Sequence, residues 1–163
     1  MKTLFFCNTN YQVLVAMQIA ISFDKKCSLI ITNEIKNCEY LLIQIEKIGL
    51  FEETFLMDVK SSEGTLKKLK RCIWGFFPGK HKNYIFDEFV GFNMDIASHM
   101  VYAYLYNKNK KIIVNKMEEG LMSLNTPETS CGVINLTYRM RKILGKENLK
   151  NSIKGFYCFL PQA

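Results

Sequence analysis

The sequence predicts an α/β fold: a Rossmann-like three-layer domain on a mostly parallel sheet. Three observations carry this expectation. Short apolar runs recur along the chain, segments with helical spacing of apolar residues separate them, and the runs are apolar throughout instead of alternating. Continuously apolar strands are buried on both faces, and strands separated by helices need crossover connections; both features describe parallel pairing. Right-handed crossovers then give the layered arrangement.

Taken in order, residues 2–7 read as a buried strand. Residues 11–23, with Tyr11, Leu14, Val15, Gln18, Ile19 and Ser22 at helical spacing, read as an amphipathic helix. Asn8, Thr9 and Asn10, residue types that cap helix starts, open it. Residues 27–32 form a second strand. Residues 35–48 place Leu41, Leu42, Ile45 and Ile48 on one helical face, with Gly49 as terminator. Residues 53–59 are a third strand, and 63–77 a basic helix that runs into Ile73-Trp74-Gly75-Phe76-Phe77 before the Pro78-Gly79 break. Residues 84–87 read as strand four. Residues 94–106 read as a helix with Ile96, Met100, Val101, Tyr104 and Leu105 inward, and 111–115 as strand five. Residues 133–144 are helical, with Arg139, Arg141 and Lys142 near the C-terminal end, where cations suit the helix dipole. Residues 156–160 are a last apolar strand.

Bulk properties fit one domain. The chain has 163 residues, 48% hydrophobic and 13% aromatic, enough for one core and too few for two full-sized domains. With only three Pro and nine Gly, neither a linker-rich nor a disordered chain is expected. The six Cys form no CxxC pair and no zinc-like spacing with His, so they read as reduced core thiols. The apolar start gives way to Asn8-Thr9-Asn10 too soon for a signal peptide or membrane span, so a cytoplasmic location is expected. The Asn135-Leu136-Thr137 sequon then has no role. The net charge of +7 gathers at Lys67, Lys68, Lys70 and Arg71, at Lys80 and Lys82, at Lys108, Lys110 and Lys111, and at Arg139, Arg141 and Lys142. Such clusters either attract anions or simply form a solvated face. No nucleic-acid recognition module accompanies them, and nucleic acid is not an expected partner.

In a parallel sheet, ligands bind outside the carboxyl ends of the strands. Three polar loops are expected there: 8–12 after strand one, 87–93 (ending at Asn93) after strand four, and 116–123 (ending at Ser123) after strand five. The sharpest motif is Glu118-Glu119-Gly120, directly after Ile112-Ile113-Val114. Adjacent carboxylates raise each other's proton affinity, and such a group can accept a proton from an attacking sugar hydroxyl. Gly120 permits a sharp turn and close approach of substrate to backbone. A plain surface Glu-Glu pair is the competing reading. Asn8, Thr9, Asn10, Tyr11 and Gln12 either start a helix or hydrogen-bond a sugar. Neither a GxGxxG nor a GxxxxGK[ST] fingerprint is present. His81 reads as an exposed loop residue and His99 as a packed helix residue. Trp74, Phe76 and Phe77 read as core; if exposed, they would suit a lipid-linked acceptor or a membrane surface.

The opening Leu4-Phe5-Phe6-Cys7-Asn8-Thr9-Asn10-Tyr11-Gln12-Val13-Leu14 resembles the start of bacterial sialyltransferases and polysialyltransferases. Glu118-Glu119-Gly120 matches their D/E-D/E-G motif, and Gly155-Phe156-Tyr157-Cys158-Phe159-Leu160-Pro161 resembles the strand that closes their first domain. Glycosyltransferase family 52, with its lipooligosaccharide and capsule enzymes, is the nearest in pattern. The resemblance implies the N-terminal half of a GT-B-type enzyme that transfers sialic acid from CMP-sialic acid with inversion and without metal or other cofactor. It implies Glu118 as general base, with Glu119 as neighbour or substitute. Asn8, Thr9, Asn10, Tyr11, Gln12, Asn93, Gly120 and Ser123 would contact substrate. The family's His-Pro motif, which handles the CMP phosphate, is absent, since neither His81 nor His99 precedes Pro. The nucleotide-sugar domain is therefore expected to be missing, with CMP-sialic acid bound mainly there and no turnover by this chain alone. Expected partners are an oligosaccharide acceptor, free or lipid-linked. Peripheral contact with the inner membrane face and a homodimer stay open. Two alternatives also stand: a non-catalytic Rossmann-like binding domain or remnant working through Lys67, Lys68 and Arg71, and a glycosyltransferase with another nucleotide-sugar donor.

Overall fold

The computed structural model describes residues 1–23, 26–59, 64–79, 83–92, 95–117 and 132–157. Six strands form one sheet: β1 (Lys2–Cys7), β2 (Lys26–Thr32), β3 (Glu53–Met57), β4 (Glu88–Gly91), β5 (Ile113–Met117) and β6 (Ile153–Tyr157). Their order is β3-β2-β1-β4-β5-β6, and every pairing is parallel. The helices are α1 (Asn10–Phe23), α2 (Cys38–Ile48), α3 (Thr65–Trp74), α4 (Ile96–Lys108), α5 (Gly132–Ile143) and α6 (Leu149–Ser152). The expected Rossmann-like α/β class is therefore the observed one.

Side chains alternate across a strand, so neighbours along β1 feed opposite cores. Phe5 and Cys7 meet α1 and α2 through Val13, Ala16, Ile19 and Ile45. Leu4 and Phe6 meet the other face, with Cys72 of α3, Met100, Val101 and Leu105 of α4, and Leu149 of α6. Both sides of the strand are buried, which is why its sequence shows no alternation.

Strand four differs from expectation. The strand is Glu88–Gly91, and Asp87 lies before it. Asp87 Oδ2 accepts the Lys2 amide at 2.8 Å, beside the first residue of β1. Asp87 thus stands at the amino edge, opposite the expected ligand edge. The residues 84–87 that mimic a strand serve packing instead. Tyr84 and Phe86 join Phe55 and Phe77 in an aromatic cluster, with Tyr84 5.2 Å from Phe55 and 4.8 Å from Phe77 between ring centroids. The true strand is disguised by a charged residue: Glu88 is 1% exposed. Its carboxylate accepts Thr3 Oγ1 at 2.6 Å, Asn115 Nδ2 at 2.6 Å and the Tyr157 hydroxyl at 2.7 Å, which replaces the water it loses.

Other boundaries also shift. β5 begins and ends two residues later than the expected 111–115, and β6 begins three residues earlier than the expected 156–160, at Ile153, with 158–160 outside the described residues. α3 stops at Trp74, because Gly75 takes φ 93° and packs against the Tyr104 backbone, where a Cβ has no room. Trp74 is not core as expected: it is 56% exposed, with Lys146 Nζ 3.9 Å above its ring. Phe77 is buried as expected. The short α6 carries no signal in the sequence reading. Cys7, Cys27 and Cys72 are buried and Cys38 is half-buried. Arg141 of α5 is also buried. It donates to the carbonyls of Ile73 at 3.2 Å and Glu147 at 2.9 Å, closing the C-terminal end of α3 with a cation.

Candidate functional site

The chain leaves β1 in one direction toward β2 and leaves β4 in the other toward β5. The strand order therefore reverses between β1 and β4, and a crevice at their carboxyl ends is the favoured ligand position in such sheets. Asn8 and Thr9 follow β1 directly. Thr9 starts α1: its Oγ1 accepts the Gln12 amide at 3.2 Å, and its carbonyl accepts the Val13 amide at 3.2 Å. Gln12 reaches back, and its Oε1 accepts the Asn8 amide at 2.6 Å. The spacing is that of a Thr-x-x-Gln cap, with the glutamine oxygen reaching the amide one residue before Thr9.

Across the crevice, Asp95 starts α4. Its Oδ1 accepts the Ser98 amide at 2.7 Å and Ser98 Oγ at 2.8 Å, and its Oδ2 accepts Asn8 Nδ2 at 2.5 Å. One carboxylate thus caps α4 and holds the loop after β1. Asn8 is 8% and Gln12 1% exposed, yet among the described residues Asn8 Oδ1 and Gln12 Nε2 have no hydrogen-bond partner. An unused acceptor and an unused donor remain at the mouth of α1, where unpaired buried polar atoms are costly. His99, one turn into α4, donates through Nδ1 to the Asp95 carbonyl at 2.7 Å, and its Nε2 shares a hydrogen bond with the Tyr138 hydroxyl at 3.1 Å. Burial pushes its pKa down, against the backbone bond and the charge of Asp95, which pull it up. It is the packed helix residue expected.

Beside this crevice a cavity of about 270 Å³ opens between the ends of β2 and β3 and the helices α3 and α4. Its floor is apolar: Met57, Ala97, Met100 and Ile134 are all buried. Its rim is charged, with Glu34 and Asp58 on the strand side, Lys68 and Arg71 on α3, and Asp95 on α4. Asn33 braces the strand side: its Nδ2 donates to Asp58 Oδ1 at 2.5 Å, and its Oδ1 accepts the Val59 amide at 3.0 Å. The Arg71 guanidinium lies 4.0 Å from the Phe76 ring centroid, which flattens it against the wall. Among the described residues, no group of three or more His, Cys, Asp or Glu could hold a metal ion, and no helix is long and apolar enough to cross a membrane.

Of the residues singled out in the sequence, Asn8, Thr9 and Gln12 come together at the carboxyl edge, while Asn10 and Tyr11 face solvent on the first turn of α1. Asn93, Glu118, Glu119, Gly120 and Ser123 lie outside the described residues. The last residue of β5, Met117, immediately precedes Glu118, and β5 lies next to β4. Sequence reasoning missed the cavity's charged rim. Asp95 carried a readable signal, an Asp three residues before Ser98 at the start of an apolar helix. Glu34 and Asp58 carried none beyond following strands. In comparisons with known proteins, no family model matches the chain, and no curated protein or solved structure matches it either.

Proposed function

We propose that this chain is the acceptor-side domain of a glycosyltransferase of the sialyltransferase kind. Its Glu118 would take the proton from an oligosaccharide hydroxyl as that oxygen attacks the donor sugar. One observation carries this reading: the carboxyl ends of β1 and β5 flank that of β4 at a single sheet edge, beside a cavity with an apolar floor and charged rim. Hydroxyl-rich ligands suit such an edge, because carboxylates and amide oxygens accept from sugar hydroxyls while apolar side chains pack against ring C–H groups. The sequence motif adds an adjacent acidic pair that directly follows β5. Donor selection would then belong to a nucleotide-sugar domain, and CMP-sialic acid would bind this chain poorly.

Saturation-transfer NMR tests this directly. Lipooligosaccharide- and capsule-type oligosaccharides should receive magnetisation from the chain, whereas CMP-sialic acid should not. Joined to a donor-side domain, the chain should transfer sialic acid, and Glu118→Gln should abolish transfer with the fold intact. Failure of every oligosaccharide to bind, or a silent Glu118→Gln, would overturn the proposal. If charge reversal at Lys67, Lys68 and Arg71 removed the only detectable binding, the chain would be a non-catalytic domain that docks on anionic surfaces.

A further inference from the structure

The charged rim of the cavity is segregated, and the segregation defines a ligand. Lys68 and Arg71 are three residues apart on α3, so both side chains emerge on one helical face. Glu34 and Asp58 stand on the strand side and Asp95 on α4. Although three carboxylates line the same cavity, the Lys68 side chain makes no ion pair or hydrogen bond among the described residues. Asp95 is committed to Asn8 and Ser98, and Asp58 to Asn33. The cation is thus held apart from acids that could neutralise it.

Ionised carboxylates only accept hydrogen bonds, and Lys and Arg only donate them. A ligand that satisfies both walls must therefore bring an anionic group to α3 and hydroxyl donors to Asp58 and Glu34. The volume of about 270 Å³ lies just below the usual small-molecule range of roughly 300–1,000 Å³, so the occupant is compact. A dinucleotide is too large for it. From these features we infer that the cavity binds a single sugar-sized polyol bearing one anionic group, with the anion on Lys68 and Arg71 and the hydroxyls on the opposite carboxylates. A sugar acid and a sugar phosphate share this chemistry. The inference does not depend on transfer chemistry or on Glu118.

The test is titration of the intact chain, followed by amide NMR shifts and calorimetry, with glucuronate, glucose 6-phosphate, glucose and inorganic phosphate as probes. One or both charged sugars should bind and shift the amides of Ile96 and Ala97, and which one does so identifies the anion. Neutral glucose and inorganic phosphate should each bind at least about tenfold more weakly, since each lacks one half of the recognition. Lys68→Ala should weaken the charged sugar by about tenfold or more. The Lys68 side chain is not in the core, so this variant should keep its fold. Asp58→Asn, a second and independent variant, should weaken the charged sugar while leaving any phosphate binding unchanged. Lys110→Ala, remote from the cavity, is the control. Equal affinity for glucose and the charged sugars, no binding by any probe, or indifference to Lys68→Ala would overturn the inference. Unchanged binding in Glu118→Gln separates this site from the proposed base.

Discussion

Removing the Asp95 carboxylate should loosen two elements at once. Asp95→Ala deletes the cap of α4, typically worth about 1 kcal/mol. It also strands Asn8 Nδ2, whose residue is 8% exposed, at a further cost of about 1–3 kcal/mol. The sum is about 2–4 kcal/mol. At about 2–4 °C per kcal/mol for a chain of this length, Tm should fall by roughly 5–15 °C. Asp95→Asn should cost less, because its amide oxygen can still accept the Ser98 amide and only the bond to Asn8 is lost. A double-mutant cycle isolates that bond. Asn8→Ala, Asp95→Ala and the double variant, measured by urea denaturation, should give a coupling energy of about 1–2 kcal/mol. Coupling below about 0.5 kcal/mol would show that the tie across the β1–β4 crevice does not hold the loop, and equal losses for Asp95→Ala and Asp95→Asn would show that the cap of α4 contributes nothing.

Two further outcomes are open to measurement. Glu88→Leu removes the acceptor of three hydrogen bonds and should cost about 3–5 kcal/mol in denaturant midpoint analysis. Glu88→Gln should be much milder, because its amide oxygen keeps Asn115 and Tyr157 while its NH2 donates to Thr3 Oγ1. Burial lowers the folded-state pKa of His99 below its ordinary value of 6.5. The unfolded chain therefore takes up a proton first as pH falls, and stability should decline below about pH 6.5. His99→Gln should flatten that decline in urea titrations between pH 7 and 5, and an unchanged slope would refute the assignment.

The layered parallel fold was legible because the physics behind it is coarse. Strands such as Leu4-Phe5-Phe6 and Ser28-Leu29-Ile30-Ile31 are buried on both faces, and that leaves uninterrupted apolar runs. Strand four was not legible for the same reason inverted. Tyr84 and Phe86 pack into an aromatic cluster as loop residues with Ile85 exposed between them, while the real strand carries Glu88, whose burial depends on donors from Thr3, Asn115 and Tyr157 that are 42 or more positions apart from one another along the chain. Trp74 misled similarly: its aromatic neighbours suggest core, but Lys146 covers a ring that faces outward. At the candidate site, Thr9 and Gln12 announce a helix cap through local spacing, and Asn8 joins them. The cavity brings Glu34, Asp58, Lys68 and Asp95 together from four separate segments, a juxtaposition no short window of sequence contains.

The two helices beside the cavity differ in how firmly they are anchored. Eight of the thirteen residues of α4 are buried, Ala97 through Ala103 and Leu105, so it cannot shift without disturbing the sheet beneath it. α3 buries only Cys72 and Ile73, both in its last turn, where Arg141 fastens it. An incoming molecule would thus meet one wall set deep in the core and one whose buried residues are confined to the turn by the arginine clasp. Adjustment to molecules of different length should fall to the first turns of α3, with Lys68 travelling and Asp95 staying put.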